Sequence, residues 1–309
     1  MIDAVITWVD GDDPAHRAKR ARYEGRGTHS EATATTRFAS SGELRYAVLS
    51  LLRFCPFVRR IHVATDAQHP ACLDPLLSTP ADAERIRIVD HREAFGGHAD
   101  LLPVFSSRSI ETMIHRIPNL AERFLYLNDD IFVGRPMTEG DYFDGDRPAL
   151  QGHWRRFPNP AVEWLKARVR SERPGFGAAQ RKAARLAGAR GQYFLLEHQP
   201  QPMRRSTLAG FYAGNPEALR RQAGHRFRSP EQVSPLGLAA HLEIAVGART
   251  AGPRDIGYVR PGRPSGAALA QVMDRLQADA YASFCVQSLD RFTEADRAVV
   301  LSGLEARYR

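Results

Sequence analysis

The 309-residue sequence predicts an α/β protein, with a Rossmann-like, mainly parallel sheet flanked by helices and a basic helical insertion. Three observations carry this. Short apolar runs alternate with helical patterns through the first half. Each of those runs ends in a carboxylate. The surplus positive charge is confined to one segment near the middle.

The strand candidates are residues 2–9, 60–65, 85–89 and 123–127. Each is short and rich in branched or aromatic residues, as expected of strands buried on both faces. A helix fits 42–54, where Leu44, Val48, Leu51 and Leu52 form an apolar stripe. Ser40 with Glu43 three residues later has the form of a capping box. A second helix fits 107–116, and further helices fit 216–223, 230–246, 265–279 and 293–307.

Hydrophobic residues make up 43% and charged residues 25% of the chain, which excludes disordered, collagen-like and coiled-coil classes. Cys55, Cys72 and Cys285 are too few and scattered for a disulfide framework or a zinc site. No stretch approaches the roughly 20 apolar residues of a membrane span. The start lacks the basic and apolar regions of a secretory signal, so a cytoplasmic protein is expected.

The net charge is +8, and 40 of the 43 basic residues are Arg. Residues 151–192 hold ten basic side chains against Glu163 and Glu172, a surplus equal to the whole net charge. Two helix-like pieces, 160–170 and 177–188, flank Pro174-Gly175, with Trp154, Phe157 and Trp164 interleaved. The segment reads either as a solvated face or as a docking surface for a polyanion or an anionic membrane.

The carboxylates after the strands are Asp10, Asp12 and Asp13, then Asp66, then Asp90, then Asp129 and Asp130. Ligands of open α/β sheets bind outside the carboxyl ends of the strands. Asp also caps turns there, so a single one carries no weight; four of four point to a site. On a continuing strand, Asn128 and Asp130 would share a face, with Asp129 on the other. Such oxygen ligands suit Mg²⁺ or Mn²⁺ held together with substrate phosphates.

Asp10-Gly11-Asp12-Asp13 is an acidic turn in which glycine permits close approach. Arg45 begins a helix, where it holds either a phosphate or a salt bridge to Glu43 or another acid. His198 lies in the rigid stretch His198-Gln199-Pro200-Gln201-Pro202 and is either a fixed acid–base group or a surface histidine. In His225-Arg226-Phe227-Arg228-Ser229, extended backbone would place Arg226 and Arg228 side by side as a phosphate clamp.

Together these segments resemble the Stealth family of capsular and exopolysaccharide sugar-phosphate transferases, which includes the catalytic part of N-acetylglucosamine-1-phosphotransferase. The run from Ile2 through Thr7-Trp8-Val9-Asp10-Gly11-Asp12-Asp13-Pro14 is similar to its first region. The second runs from Arg37-Phe38 through Gly42–Tyr46, Val58–Gln68 and Leu102–Ser107 to Leu127-Asn128-Asp129-Asp130. His198 to His241 resembles the third, and Phe284–Ser288 loosely resembles the fourth. Ser106 departs from the usual Asn, Gln287-Ser288 replace an Asn-Asp pair, and Gln201 occupies a position that is His in some members.

The resemblance implies a glycosyltransferase-A-like fold in one catalytic domain spanning 1–309. Residues 1–150 would form the nucleotide-sugar-binding half, 151–192 the basic insertion and 193–309 a mainly helical half completing the site. It implies transfer of a sugar-1-phosphate from a nucleotide sugar, most simply a UDP-sugar, to a saccharide hydroxyl, with release of a nucleoside monophosphate. Asp130, His198 or both would serve as base or metal ligand, and Arg45 and Arg228 would stabilise phosphoryl charge. Asp10 and Asn128 would position the donor or its metal, and Thr7, Trp8, Gly11, Asp12, Asp129 and Arg226 would line the substrate site. Mg²⁺ or Mn²⁺ is expected, with no organic cofactor. The partners are the donor and a saccharide acceptor, not nucleic acid, with peripheral contact at the inner membrane face. A conventional glycosyltransferase releasing a nucleoside diphosphate fits the acidic strand ends equally well. A non-enzymatic polyanion-binding protein fits the 151–192 segment.

Overall fold

A computed structural model describes residues 1–25, 42–159 and 175–309. Its centre is a five-stranded sheet. Four strands are parallel: β1 (Ile2–Thr7), β2 (Val58–Thr65), β3 (Ile86–Asp90) and β4 (Arg123–Asn128). They lie in the order β3-β2-β1-β4, so all four carboxyl ends share one edge.

Alternation along the strands divides their side chains between two cores. Ile2, Ala4, Ile6, Leu125 and Leu127 face one core, shared with the helix Glu43–Phe54 (α2; α1 is Pro14–Ala21). Val5, Phe124 and Tyr126 face the other. Both faces are therefore apolar, which is why these strands read as continuous hydrophobic runs.

Buried polar residues interrupt the pattern, Asp3 of β1 and His62 of β2 among them. Asp3 is fully buried in β1 and accepts from Arg59 Nε (2.9 Å), Arg59 Nη2 (2.8 Å) and the Ala121 amide (2.8 Å). His62 Nε2 lies 3.2 Å away. Burial pushes the Asp3 carboxyl up, but His62, Arg59 and the Ala121 amide together outweigh it and hold it at about 2.

Beyond β4 the chain turns at Asp129-Asp130 into β5 (Ile131–Val133). β6 (Leu150–Arg156) and β7 (Gln192–Leu196) pair antiparallel, and Thr250–Ala251 joins β6. β8 (Gln201–Arg204) adds antiparallel to β4 at the edge of the main sheet, the one place where Pro202 breaks no ladder on a second side. β9 (Ile256–Val259) runs parallel to β10 (Ser283–Val286), which pairs antiparallel with β5.

Six further helices fall close to their expected places: α3 (Ser107–Met113), α4 (Phe176–Leu186), α5 (Pro216–Ala223), α6 (Pro235–Ala245), α7 (Gly266–Gln277) and α8 (Glu294–Tyr308), with α3 ending short of residue 116 and α6 starting after residue 230, whereas the helix Arg205–Ala213 is not among those expected. α3, α5 and α6 cover the Val5 face, and α7 and α8 close the core on the α2 face.

Several expectations change. The first strand ends at Thr7, not residue 9, because the acidic turn takes the chain out of the sheet. The segment 151–192 is not helical throughout: its start is β6, of which Leu150, Gln151 and Gly152 are buried while Trp154, Arg155 and Arg156 are exposed. The helix expected over 160–170 and the cap expected from Ser40 lie outside the described residues. Gly42 stands at the N-cap of α2 instead, with φ at +90°.

A candidate active site at the carboxyl edge of the sheet

The register aligns Thr7 with Ala64 and Asn128, and Thr65 with Asp90, so the acid-bearing turns lie side by side. Their roles divide sharply. Asp13 caps α1, accepting from the Ala15 amide at 2.7 Å, and also accepts from Gln68 Nε2 at 3.0 Å. Those bonds, Gln68 foremost, hold its carboxyl below the usual range. Asp10 accepts from the Asp12 amide (2.9 Å), closing its own turn over buried Gly11. Asp66 pairs with Lys19 at 2.9 Å, and Asp90 caps a short helix and pairs with Arg92. These acids are structurally satisfied.

Asp129 and Asp130 differ. Burial, repulsion from Asp130 and repulsion from buried Glu43 push the Asp129 carboxyl well above its ordinary range. Burial and Glu43 push Asp130 up to about 7. The Oδ1 of Asp130 is buried without a hydrogen-bond partner. The strand stops at Asn128, so the alternation that would have placed Asn128 and Asp130 on one face does not continue. A tight turn follows, because Val286 donates its amide to the Asp130 carbonyl at 3.0 Å and draws the next residues into β5 and β10.

Asn128 belongs to a second cluster. Tyr126 Oη lies 2.8 Å from Thr7 Oγ1 and donates to Asn128 Oδ1 at 2.9 Å, with Glu111 Oε1 at 3.4 Å. Burial raises the Glu111 carboxyl, opposed by Arg228 and Arg108. Arg228 turns inward here, donating to Ser107 Oγ. Burial works against its charge, which Glu111 supports. Arg226 instead donates to the Pro103 carbonyl at 3.0 Å and lies over the Tyr23 ring. The 225–229 stretch is not a strand, so the two arginines take different partners rather than forming one clamp.

The antiparallel β8 delivers His198. Pairing of Gln201 with Tyr126 places the preceding residues at the carboxyl edge of β4. The His198 ring lies 4.6 Å from Phe176 and 5.9 Å from Tyr258. Burial lowers its pKa and so favours the neutral imidazole, the form a general base requires. The Tyr258 hydroxyl donates to Gln287 and the ring lies within the field of Asp130. Arg45 takes the salt-bridge partner from the far end of the chain: its Nη1 is 2.9 Å from Glu305, which also accepts from Tyr46.

The structure thus gathers Thr7, Asn128 and Arg228 into one cluster, and Asp129 and Asp130 with Glu43 into another. Tyr258 neighbours His198, and its hydroxyl feels the Asp130 charge. Trp8 is buried beside them, its amide bonded to the Ala64 carbonyl. Sequence reasoning misses Glu43, Glu111 and Tyr258. Glu43 reads only as a capping-box acid or a partner for Arg45, Glu111 carries no signal, and Tyr258 sits in a four-residue strand with no periodicity to expose it.

Among the described residues, no three or more His, Cys, Asp or Glu side chains gather around a point that a metal ion would take. What the turn provides is the unpartnered Asp130 oxygen beside a second carboxylate. That set fits a hard cation whose remaining ligands come from water and donor phosphates.

The fold and site thus define an α/β protein with an acidic centre at the carboxyl edge of a mainly parallel sheet. The chain belongs to the Stealth family: residues 2–28 match Stealth protein CR1, conserved region 1, and residues 37–150 match Stealth protein CR2, conserved region 2. It is 40% identical over 235 residues to exopolysaccharide phosphotransferase SCO6023 of Streptomyces coelicolor, covering 75% of this chain and 38% of that protein. It is 36% identical over 280 residues to exopolysaccharide phosphotransferase SCO6021 of the same organism, covering 89% and 48%. Exopolysaccharide phosphotransferase CpsY of Mycobacterium tuberculosis is 34% identical over 248 residues, 75% of this chain and 42% of that one. The chain therefore spans less than half the length of these curated relatives. Among solved structures it is similar to galactosyltransferase LgtC in complex with donor and acceptor sugar analogues. The TM-score is 0.46 at 11% identity, over 99% of this chain and 96% of that one. No described helix is long and apolar enough to cross a membrane.

Proposed function

We propose that the site transfers a sugar-1-phosphate from a nucleotide sugar, a UDP-sugar in the simplest case, to a hydroxyl of a saccharide acceptor. The product is a phosphodiester of an exopolysaccharide and the leaving group a nucleoside monophosphate. The observation that carries this reading is the half-buried Asp129–Asp130 turn, whose two carboxyls are pushed up together at the sheet edge where ligands of such folds bind. The names of the curated relatives support the reaction class.

The acceptor oxygen attacks the sugar-linked phosphorus and its proton passes to a base. Asp130, with its carboxyl near 7, and His198, held neutral, are both suited to take that proton. Arg228 offers a half-buried cation to the phosphoryl oxygens, its charge supported by Glu111 and its guanidinium bonded to Ser107 Oγ. Arg45 reaches the same edge from α2 on the Glu305 pair. Thr7 and Asn128 hold the Tyr126 hydroxyl between them and shape the donor side, with the Asp10–Asp12 turn adjoining. Mg²⁺ or Mn²⁺ at Asp130 would neutralise donor phosphate charge. The exposed Arg155, Arg156, Arg185 and Arg190 offer a surface for an anionic acceptor or the inner membrane face.

The test is a panel of UDP- and GDP-sugars with saccharide acceptors, in Mg²⁺ and in EDTA, scoring the nucleotide released. UMP or GMP together with phosphorus in the product is the expected result. UDP or GDP with a phosphorus-free product would replace the reading with conventional glycosyl transfer. In the same assay His198→Ala is expected to lose about 10²- to 10⁴-fold in turnover at an unchanged melting temperature. Near-normal turnover would remove His198 from the chemistry.

A further inference from the structure

Two large aromatic side chains stand exposed at the mouth of this site. Phe176, the first residue of α4, is 42% exposed, and Tyr258, in β9, is 36% exposed. Each is close to His198, the Phe176 ring tilted 31° to the imidazole and the Tyr258 ring 55°. They come from parts of the chain more than 80 residues apart, so local sequence does not account for their convergence. Neither is needed to fill a core: the buried cores close around other aromatics, among them Tyr126, Phe194 and Phe284.

Exposed aromatic surface of this size costs solvation free energy unless a partner covers it. A partner that fits two separated rings flanking a neutral imidazole is a saccharide. Its C–H faces pack on aromatic rings, and its hydroxyls need a hydrogen-bond acceptor between them. The Tyr258 ring cannot swing freely, since its hydroxyl is bonded to Gln287 and the Gln287 amide donates to the Val259 carbonyl at 2.9 Å.

We infer that Phe176 and Tyr258 form the acceptor platform: they seat the acceptor's sugar ring so that its attacking hydroxyl points at His198 and Asp130. Gln287 is a positioning residue that holds Tyr258 in place. The inference rests on the proposed transfer reaction for the word acceptor, but the binding of a neutral saccharide at these rings stands apart from it.

The experiment therefore has two arms. In turnover, Phe176→Ala and Tyr258→Ala are each expected to raise the acceptor KM about tenfold or more while the donor KM moves by less than about twofold. Tyr258→Phe, which keeps the ring but loses the bond to Gln287, is expected to raise the acceptor KM, by less than Tyr258→Ala does. An unchanged acceptor KM in both alanine variants would overturn the platform. In binding, saturation-transfer NMR with maltose, cellobiose and lactose needs no catalysis. At least one sugar is expected to receive saturation from the wild-type protein and to lose it in both alanine variants, each first checked by its melting curve. Equal transfer in the variants, or none from any sugar to the wild type, would overturn the platform even if the transfer reaction is confirmed. Loss of binding in the variants without any nucleotide turnover would retain the platform and overturn the reaction.

Discussion

Asp130→Asn is expected to lower nucleoside monophosphate release by about 10²- to 10⁴-fold and, at the same time, to raise the melting temperature at pH 8. The two effects have one cause. A carboxylate held at about 7 in the folded protein, against an ordinary value near 3.8, is disfavoured in its charged form. The sign follows from proton linkage: between these two values the folded state binds more protons than the unfolded one, so stability falls as pH rises. Above about 7 the penalty is fully present, and below the unfolded value it is absent. Asparagine carries no charge, so the variant's advantage should be largest at pH 8 and vanish toward pH 3.5. Melting curves across that range, beside turnover, check both halves. A variant that is inactive and also less stable at pH 8 would mean that Asp130 is a structural group.

Asp3→Asn is expected to do the reverse: to destabilise strongly and leave the chemistry intact. The carboxylate is bonded to Arg59, His62 and the Ala121 amide with no access to water. Removing one partner of such a buried charge set costs about 3–5 kcal/mol, or roughly 10 °C of melting temperature in a chain of this size. Its carboxyl is held at about 2, so its contribution is present above the unfolded value near 3.8 and is lost as pH falls through about 2. The stability gap between wild type and variant should therefore be flat from pH 5 to 7 and close in strong acid. Asp3 opens β1 and the acidic turn follows its far end, so turnover per folded molecule should be unchanged. A melting temperature within about 2 °C of wild type at pH 7 would contradict this account of the pair.

The contrast between these residues shows which features are legible in the amino-acid sequence. The four parallel strands announce themselves because both faces are buried, leaving uninterrupted runs such as Phe124–Leu127. α2 and the later helices announce themselves by apolar stripes and by Pro at their first turn, as in α5 and α6. β8 does not, because Pro202 removes the donor a strand needs, and only an edge position tolerates it. β5, β9 and β10 are three or four residues long, too short for any period. At the proposed site, Asn128, Asp129 and Asp130 are singled out by their place after a strand and His198 by its place before Pro200 and Pro202. Their division of labour is not. It depends on burial of Glu43 and Glu111, on the turn at Asp129-Asp130 and on Tyr258, all of which are set by packing from distant residues.

The bond from the Val286 amide to the Asp130 carbonyl has a consequence in time. The turn that carries the two acids is tied down by β10, more than 150 residues later in the chain. A nascent chain can form β1 to β4 early, from neighbouring segments. It cannot shape the acidic turn until the ribosome has passed residue 286. Until then the polypeptide carries a nearly complete sheet with no working centre, so competence arrives in one late step rather than growing with length.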